Sequence, residues 1–267
     1  MLEMTKICKT FNRDTVNEKK AIRNINLHLS QGDFVTVIGG NGAGKSTLLN
    51  LIAGVYPCDG IIGSSIILGG NNITRQPEYK RSKYMGRVFQ DPMRGTAANM
   101  EIEENMAIAY RRGKRRGLSW GITKQEREFY HEKLKILGLG LENRMTSKVG
   151  LLSGGQRQAL TLLMATLKKP ELLLLDEHTA ALDPKTAKNI LNLTDELISG
   201  QQLTTIMVTH NMKDAIKYGN RLIMMDEGKI AFDVSGDEKK KLTVEDLLEK
   251  FEAVSGGEFA NDRMLLS

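Results

Sequence analysis

One glycine-rich segment has the residue types and spacing of a phosphate-binding loop. Gly39 is followed by four residues and then by Gly44, Lys45 and Ser46. Small residues let backbone N–H groups surround a phosphate chain, whereas a Cβ atom at the tight points would block them. The lysine adds a positive charge for the β- and γ-phosphates, and the serine hydroxyl can bind Mg²⁺. The candidate phosphate-binding residues are Gly39, Asn41, Gly42, Ala43, Gly44, Lys45, Ser46 and Thr47.

Two carboxylates follow the apolar run Leu172–Leu175. Four consecutive leucines predict a buried strand, and ligands of open α/β sheets bind at the carboxyl ends of the strands. Asp176 is therefore a candidate Mg²⁺ ligand for phosphoryl transfer. Glu177, next along the chain, can serve as the general base for an attacking water. An apolar strand that ends in Asp-Glu is common, so this interpretation depends on the phosphate loop upstream.

A second glycine-containing segment, Ser153–Gln156, precedes a predicted helix and is called the Ser-Gly-Gly segment below. Ser153 is a favourable N-cap residue, and Gly154 and Gly155 expose the backbone. The start of this helix can bind an anion. Simple helix capping explains the same residues, and both interpretations stay open at this point.

The elements that must position these residues alternate between strands and helices. The apolar run Phe34–Ile38 precedes the phosphate loop, and Lys45–Ala53 follows it with helical spacing. This alternation predicts an α/β fold with a mostly parallel sheet. The middle of the chain is helix-rich and is typical of an insertion. Further predicted strands are Thr204–Thr209, Arg221–Met225 and Ile230–Phe232, and further predicted helices are Glu101–Ala109, Lys124–Leu137, Gln156–Leu167 and Thr243–Phe251.

Composition excludes several classes of protein. The chain has 267 residues, 40% apolar and 26% charged, with a formal net charge of +6, which is typical of globular proteins and not of disordered ones. Two cysteines exclude a disulfide scaffold. No stretch of about 20 apolar residues predicts a membrane-spanning helix, so another chain would have to supply any span. Aromatic residues, 5% of the chain, are too sparse to predict base-stacking platforms for nucleic acid.

The combination of motifs resembles the ATP-binding subunit of ABC transporters. The sequence Leu-Ser-Gly-Gly-Gln at Leu152–Gln156, between a phosphate loop and an apolar strand ending in Asp-Glu, carries the resemblance, which covers roughly residues 2–235. It implies a P-loop NTPase core with a mostly parallel sheet, an N-terminal antiparallel β subdomain and an inserted α-helical subdomain. The expected domains are an ABC ATPase domain at 1–235 with its helical insertion at 91–165, and a C-terminal tail with a short helix at 236–267.

The resemblance assigns roles to residues that no local pattern singles out. Gln90 resembles the glutamine that contacts Mg²⁺ and the attacking water, and His210 resembles the histidine that contacts the γ-phosphate. Asp183 resembles the aspartate of the family's D-loop, and Phe11 resembles the aromatic residue that stacks on adenine. The implied catalytic residues are Glu177, His210 and Gln90, and the implied Mg²⁺ ligands are Ser46, Gln90 and Asp176. The nucleotide-binding set adds Phe11, Ser153, Gly154, Gly155, Gln156 and Asp183 to the phosphate loop.

Two positions depart from the family pattern. Gly40 and His178 stand where the family often has proline. Glycine at the first position should loosen the phosphate loop slightly without removing a ligand. The role of His178, next to the candidate base, stays open.

The resemblance also implies cofactors and partners. ATP and Mg²⁺ are expected, with two copies of the chain packed head to tail so that Ser153 and Gly155 of one copy meet the γ-phosphate held by Lys45 of the other. Integral membrane permease subunits and an extracellular or periplasmic substrate-binding protein complete the expected system, with this chain peripheral on the cytoplasmic face of the cell membrane. Import, with amino acids among the candidate cargoes, fits the single-domain architecture better than export.

Two alternatives belong to other classes. A soluble ABC ATPase acting on DNA or ribosomes lacks support, because the chain has no room for a long coiled coil and carries a single phosphate loop; no nucleic-acid partner is expected. A small-molecule kinase would not explain the Ser-Gly-Gly segment. The basic run 111–116 is either a solvated loop or a contact for acidic lipid headgroups.

Overall fold

The computed structural model describes residues 1–114 and 121–255. The chain divides into two compact units: the first comprises Met1–Arg81 and the chain from Leu203 onward, and the second comprises Ser82–Gln202. The strands are β1 (Leu2–Phe11), β2 (Lys19–Leu29), β3 (Phe34–Ile38), β4 (Ser65–Leu68), β5 (Asn71–Asn72), β6 (Met85–Val88), β7 (Leu172–Asp176), β8 (Thr205–Val208), β9 (Arg221–Asp226) and β10 (Lys229–Ser235). The α-helices are α1 (Lys45–Ala53), α2 (Glu78–Arg81), α3 (Ile102–Tyr110), α4 (Lys124–Lys135), α5 (Gly154–Thr166), α6 (Pro184–Gln201), α7 (Met212–Lys217), α8 (Gly236–Lys240) and α9 (Val244–Ser255).

The first unit contains an antiparallel sheet in the order β2-β1-β4-β5 and a group of parallel strands. In the parallel group β3 lies between β8 and β9, and Val35 is in register with both Ile206 and Arg221. Strand β10 adds to β9 in the antiparallel direction. All five residues of β3 are buried, as expected for an apolar run that is covered on both faces. The predicted N-terminal antiparallel subdomain and mostly parallel core are thus confirmed.

The second unit pairs β6 and β7 in parallel and packs four helices around a common core. Leu160 and Leu163 of α5 share that core with Tyr130 and Leu134 of α4. Helices α1 and α4 begin at the predicted residues, whereas the starts of α3 and α5 differ from the predictions by one or two residues because capping residues set them. Glu101 forms a capping box at the start of α3, so this helix begins one residue after its predicted start. Ser153 caps α5, which begins two residues before its predicted start.

Helix α9 of the C-terminal tail packs within the first unit. Leu247 and Phe251 of α9 are buried with Met212, Ala215 and Met224. The predicted cap at its start is present, since Asp246 Oδ2 accepts from the Thr243 N–H at 2.8 Å. Residues 256–267 lie outside the described part of the chain.

Two arginines of the basic run 111–116 form hydrogen bonds within the second unit. Arg111 donates to both carboxylate oxygens of Glu126, and Arg112 donates to the carbonyls of Ala165 and Lys168. These bonds connect the end of α3 to α4 and α5. Residues 115 and 116 lie outside the described residues. Over 1–114 and 121–255, no helix has the length and hydropathy that a bilayer span requires.

Candidate functional site

The phosphate loop connects β3 to α1, and its backbone demands glycine at two points. Gly39 has φ 150°, and a Cβ atom there would lie 2.2 Å from the Met225 carbonyl oxygen. Gly44 has φ 103°, and a Cβ atom there would lie 2.7 Å from the Ala21 carbonyl oxygen. Any other residue would strain the backbone and push against neighbouring main chain. The loop therefore has a shape that its own unit enforces.

Lys45 is bonded across this loop. Its side chain is buried, and Nζ donates to the carbonyls of Gly39 at 2.7 Å and Gly40 at 3.1 Å. Helix α1 begins at Lys45 with Gly44 as a cap that has no side chain, and its first turn holds no acidic residue. The helix start therefore keeps its positive potential for an anion. Ser46, exposed, and Thr47, half-buried, follow in the same turn.

The edge of the antiparallel sheet adds an aromatic ring and a cation. Phe11, half-buried at the end of β1, packs edge-on against Tyr56 with ring centroids 5.2 Å apart. The register of β1 and β2 sets Lys19 opposite Phe11. Lys19 Nζ lies 3.6 Å from the point that a Cβ atom on Gly42 would occupy. Sequence reasoning missed Lys19, because only the strand register brings it to the phosphate loop.

His210 also belongs to the first unit. It follows β8 and is half-buried in the turn before α7. Its neighbour Asn211 caps that helix by accepting from the Asp214 N–H at 3.1 Å. The turn is thus fixed by local bonds on the side toward α7.

In the second unit, the carboxylates stand where the sequence predicted them. Asp176 is the last residue of β7 and is half-buried. Arg87 on the adjacent strand β6 lies with Nη2 3.4 Å from Asp176 Oδ2. This ion pair was missed because Arg87 and Asp176 are 89 residues apart. Gln90 is exposed just beyond β6.

The residues after β7 have an unusual backbone and a buried side chain. Glu177 has φ 49°, in the left-handed region that residues other than glycine seldom adopt. His178 is 2% exposed, and its Nε2 lies 3.0 Å from Thr194 Oγ1. Burial lowers the pKa of His178 to about 4, so the imidazole is neutral at pH 7. The side chain of His178 therefore packs against α6 within the second unit.

The Ser-Gly-Gly segment forms a complete capping box at the start of α5. Ser153 Oγ accepts from the Gln156 N–H at 3.3 Å, and Gln156 Oε1 accepts from the Ser153 N–H at 3.1 Å. Ser153 and Gly154 are exposed. Neither Gly154 nor Gly155 has a positive φ. A Cβ atom at Gly155 would lie 2.4 Å from the methyl group of Thr186, whereas one at Gly154 would make only ordinary contact.

Asp183 begins α6 in the same unit. Its Oδ1 accepts from the Thr186 N–H at 3.1 Å, and Pro184 occupies the first helical position. Hydrogen bonds from the side chain and then the backbone of Thr186 lower the pKa of Asp183. This aspartate is therefore an exposed, charged helix cap.

Comparison with known proteins identifies the family. Residues 22–180 match the model of the ABC transporter family. The tyrosine transport ATP-binding protein of Clostridioides difficile (strain R20291) is 43% identical over 252 residues, covering 94% of this chain and 99% of that protein. The thiamine import ATP-binding protein ThiQ of Salmonella choleraesuis (strain SC-B67) is 33% identical, covering 79% of this chain and 84% of that protein.

Solved structures agree with these relatives. A dimeric ATP-binding cassette in a post-hydrolysis state with ADP and Pi superposes with a TM-score of 0.73 at 26% identity, covering 88% of this chain and 98% of that one. The ADP conformation of another ABC transporter cassette gives a TM-score of 0.76 at 26% identity, covering 94% of this chain and 98% of that one. The chain therefore belongs to the ABC transporter family as an ATP-binding subunit, an ATPase with the P-loop α/β fold that binds and hydrolyses ATP.

Proposed function

We propose that this chain powers an amino-acid importer, with tyrosine or a related aromatic amino acid as cargo. The observation that carries the proposal is the 43% identity to a tyrosine transport ATP-binding protein over nearly the full length of both chains. Relatives named for thiamine and for spermidine and putrescine import support the direction of transport. The ATPase domain is assigned to residues 1–235 with its helical insertion at 91–165.

The first unit supplies the nucleotide-binding residues. The ring of Phe11 stacks on adenine, and the phosphate loop surrounds the phosphate chain with backbone N–H groups. Lys45 neutralises the terminal phosphates from its position across the loop. His210 contacts the γ-phosphate. Support for these roles comes from the glycine geometry of the loop, because Gly39 and Gly44 have the positive φ values and close packing that exclude side chains at its tight points.

Mg²⁺ fits the donor chemistry present. No cluster of three or more His, Cys, Asp or Glu exists within residues 1–114 and 121–255. Mg²⁺ needs no such cage, because it binds through one or two protein oxygens together with substrate phosphates and water. Ser46, Gln90 and Asp176 would hold it through hydroxyl, amide and carboxylate oxygens. When bound, Mg²⁺ neutralises charge that develops on the phosphate oxygens.

Hydrolysis is assigned to Glu177 as general base. Its carboxylate accepts a proton from water as the water oxygen attacks the γ-phosphorus and the bond to the β-phosphate oxygen breaks, which yields ADP and inorganic phosphate. Gln90 orients the same water. Glu177 is suited to the task by its place beside Asp176 and by a backbone conformation unlike that of the preceding strand.

The Ser-Gly-Gly segment acts on a second copy of the chain. Ser153 and Gly155 of one copy bind the γ-phosphate held by Lys45 of the other, and Gln156 and Asp183 support that interface. Loss of the γ-phosphate then weakens the dimer, which makes association of the two copies depend on the nucleotide. The exposed Ser153 and Gly154 support this role, as does the dimeric state of a structural neighbour.

The dimer must be coupled to a transport pathway. We assign that pathway to separate integral membrane permease subunits that dock on the segment 90–106, with this chain peripheral on the cytoplasmic face of the cell membrane. A substrate-binding protein outside the membrane delivers the cargo.

Reconstitution tests the proposed function. The chain is purified together with a candidate permease, inserted in vesicles, and assayed for ATP-dependent tyrosine accumulation in the presence of a candidate binding protein. We expect transport with the wild-type chain and none with Lys45→Ala. Stimulation of ATPase activity by DNA or ribosomes, with no permease bound, would instead support the ABC ATPases that act on nucleic acid.

A further inference from the structure

His178, which stands where the family often has proline, is bonded to the middle of α6. Its Nε2 lies 3.0 Å from Thr194 Oγ1, and both side chains are 2% exposed or less. The Thr194 hydroxyl donates its hydrogen to the Ile190 carbonyl, 2.7 Å away. A hydroxyl has a single hydrogen, so Thr194 must accept from the imidazole. The proton of His178 therefore lies on Nε2, and the ring is anchored to a helix.

Glu177 precedes this anchor in a conformation that needs support. Its φ of 49° lies in a region where residues other than glycine are held only when their surroundings over-determine them. On one side the Glu177 carbonyl accepts from the Ala180 N–H at 3.0 Å. The anchored ring of His178 supplies a further restraint, because it fixes the position of the residue to which the Glu177 carbonyl is joined. A proline at this position would restrain the same residue covalently.

We infer that His178, through its hydrogen bond to Thr194, is a positioning residue that holds the Glu177 carboxylate in place for hydrolysis. His178 does not touch the substrate in this role. It acts through the backbone of Glu177, while α6 provides the fixed frame. The inference rests on the proposed function, because it takes Glu177 as the general base.

Matched substitutions of Thr194 test the inference in the full-length chain with ATP and Mg²⁺. Thr194→Val keeps the shape of the side chain and removes the acceptor, whereas Thr194→Ser keeps the hydroxyl. We expect Thr194→Val to lower kcat about 10-fold with an unchanged KM for ATP, since small misplacements of a reacting group are costly. Thr194→Ser should retain most of the wild-type kcat. An unchanged kcat in Thr194→Val, or an equal loss in both variants, would overturn the inference.

A background without the base separates positioning from general damage. In Glu177→Gln, which already lacks the base, adding Thr194→Val should cause no further loss of hydrolysis. A further 10-fold loss there would contradict the inference, because His178 would then act independently of Glu177. Wild-type turnover in Glu177→Gln alone would refute the proposed base itself, so the two failures are distinguishable.

A second variant covers the case in which Thr194→Val folds poorly. The pair His178→Phe with Thr194→Val replaces the hydrogen bond by apolar contact between buried groups, which spares the fold the cost of an unpaired imidazole. We expect a thermal midpoint near that of the wild type together with the same low kcat. A folded double variant with wild-type kcat would overturn the inference.

Discussion

The two glycine-containing loops use glycine for different reasons. In the phosphate loop, Gly39 and Gly44 have positive φ values, and a Cβ atom would collide with main-chain carbonyls. In the Ser-Gly-Gly segment, neither glycine has a positive φ, and Gly154 has room for a methyl group within its own unit. The backbone conformation of the phosphate loop therefore depends on glycine and on close contacts within its own unit. The second loop is a capped helix start at which Ser153 and Gly154 are exposed, as the proposed contact with a second copy requires.

The same contrast extends to the residues around each loop. The candidate site of the first unit consists of main chain and a buried lysine that is bonded to loop carbonyls. In the second unit, candidate residues and their neighbour contact side chains of other elements, as Asp176 does with Arg87 and as His178 does with Thr194. This difference predicts that substitutions in the first unit impair nucleotide binding, whereas those in the second impair hydrolysis and association.

The largest expected effect is that of Glu177→Gln. Loss of the base should slow hydrolysis by about 10²- to 10⁴-fold, while ATP affinity stays near that of the wild type because the phosphate loop is intact. An ATP-bound dimer should accumulate and be visible by size-exclusion chromatography. A turnover rate equal to that of the wild type would show that Glu177 is not the general base.

Lys45→Ala is the complementary change in the first unit. Removing a charge-assisted contact to phosphate should weaken ATP binding by about 10- to 100-fold. Titration with a fluorescent ATP analogue measures this directly, and the exposed Lys20→Ala serves as the control for lost surface charge. If Lys45→Ala bound ATP as tightly as the wild type, the expectation that substitutions in the first unit impair nucleotide binding would be wrong.

Alanine at one glycine of each loop compares the loops themselves. Gly39→Ala should destabilise the chain by about 2 kcal/mol, because of its positive φ and the close Met225 carbonyl. Gly154→Ala should change stability by less than about 0.5 kcal/mol, yet weaken ATP-dependent dimerisation. Urea unfolding and light scattering provide the two measurements. Equal destabilisation by both substitutions would show that the loops do not differ as described.

The smallest expected effect concerns Lys19. Because its Nζ lies beside Gly42 and its backbone pairs with Phe11, Lys19→Gln should weaken ATP and ADP binding about 3-fold at low salt and less at high salt. Adenosine binding should stay the same, and Lys20→Gln is the matched control. An equal change for adenosine would mean that the substitution disturbs the aromatic platform and not a phosphate contact.

Local pattern was sufficient for much of the fold. Strand β3 has the predicted bounds because its short run, rich in β-branched residues, favours a strand that is covered on both faces. Helix starts were predicted less well, since Glu101 is a cap and not the first helical residue, and the helix that Ser153 caps begins at Gly154 and not at Gln156. The packing of α9 on its own unit could not be predicted, because an amphipathic helix fits its own domain or a partner equally well by sequence.

The sequence by itself determined the phosphate loop, the strand and helix that flank it, and the family, because these depend on residue types at short, fixed spacings. Only the tertiary structure set Lys19 opposite Phe11, paired Arg87 with Asp176 and buried His178 against Thr194. Each of these contacts joins residues on different elements. Their partners are chosen by strand register and helix packing, which are properties of the assembled core and leave no mark in the spacing of neighbouring residues.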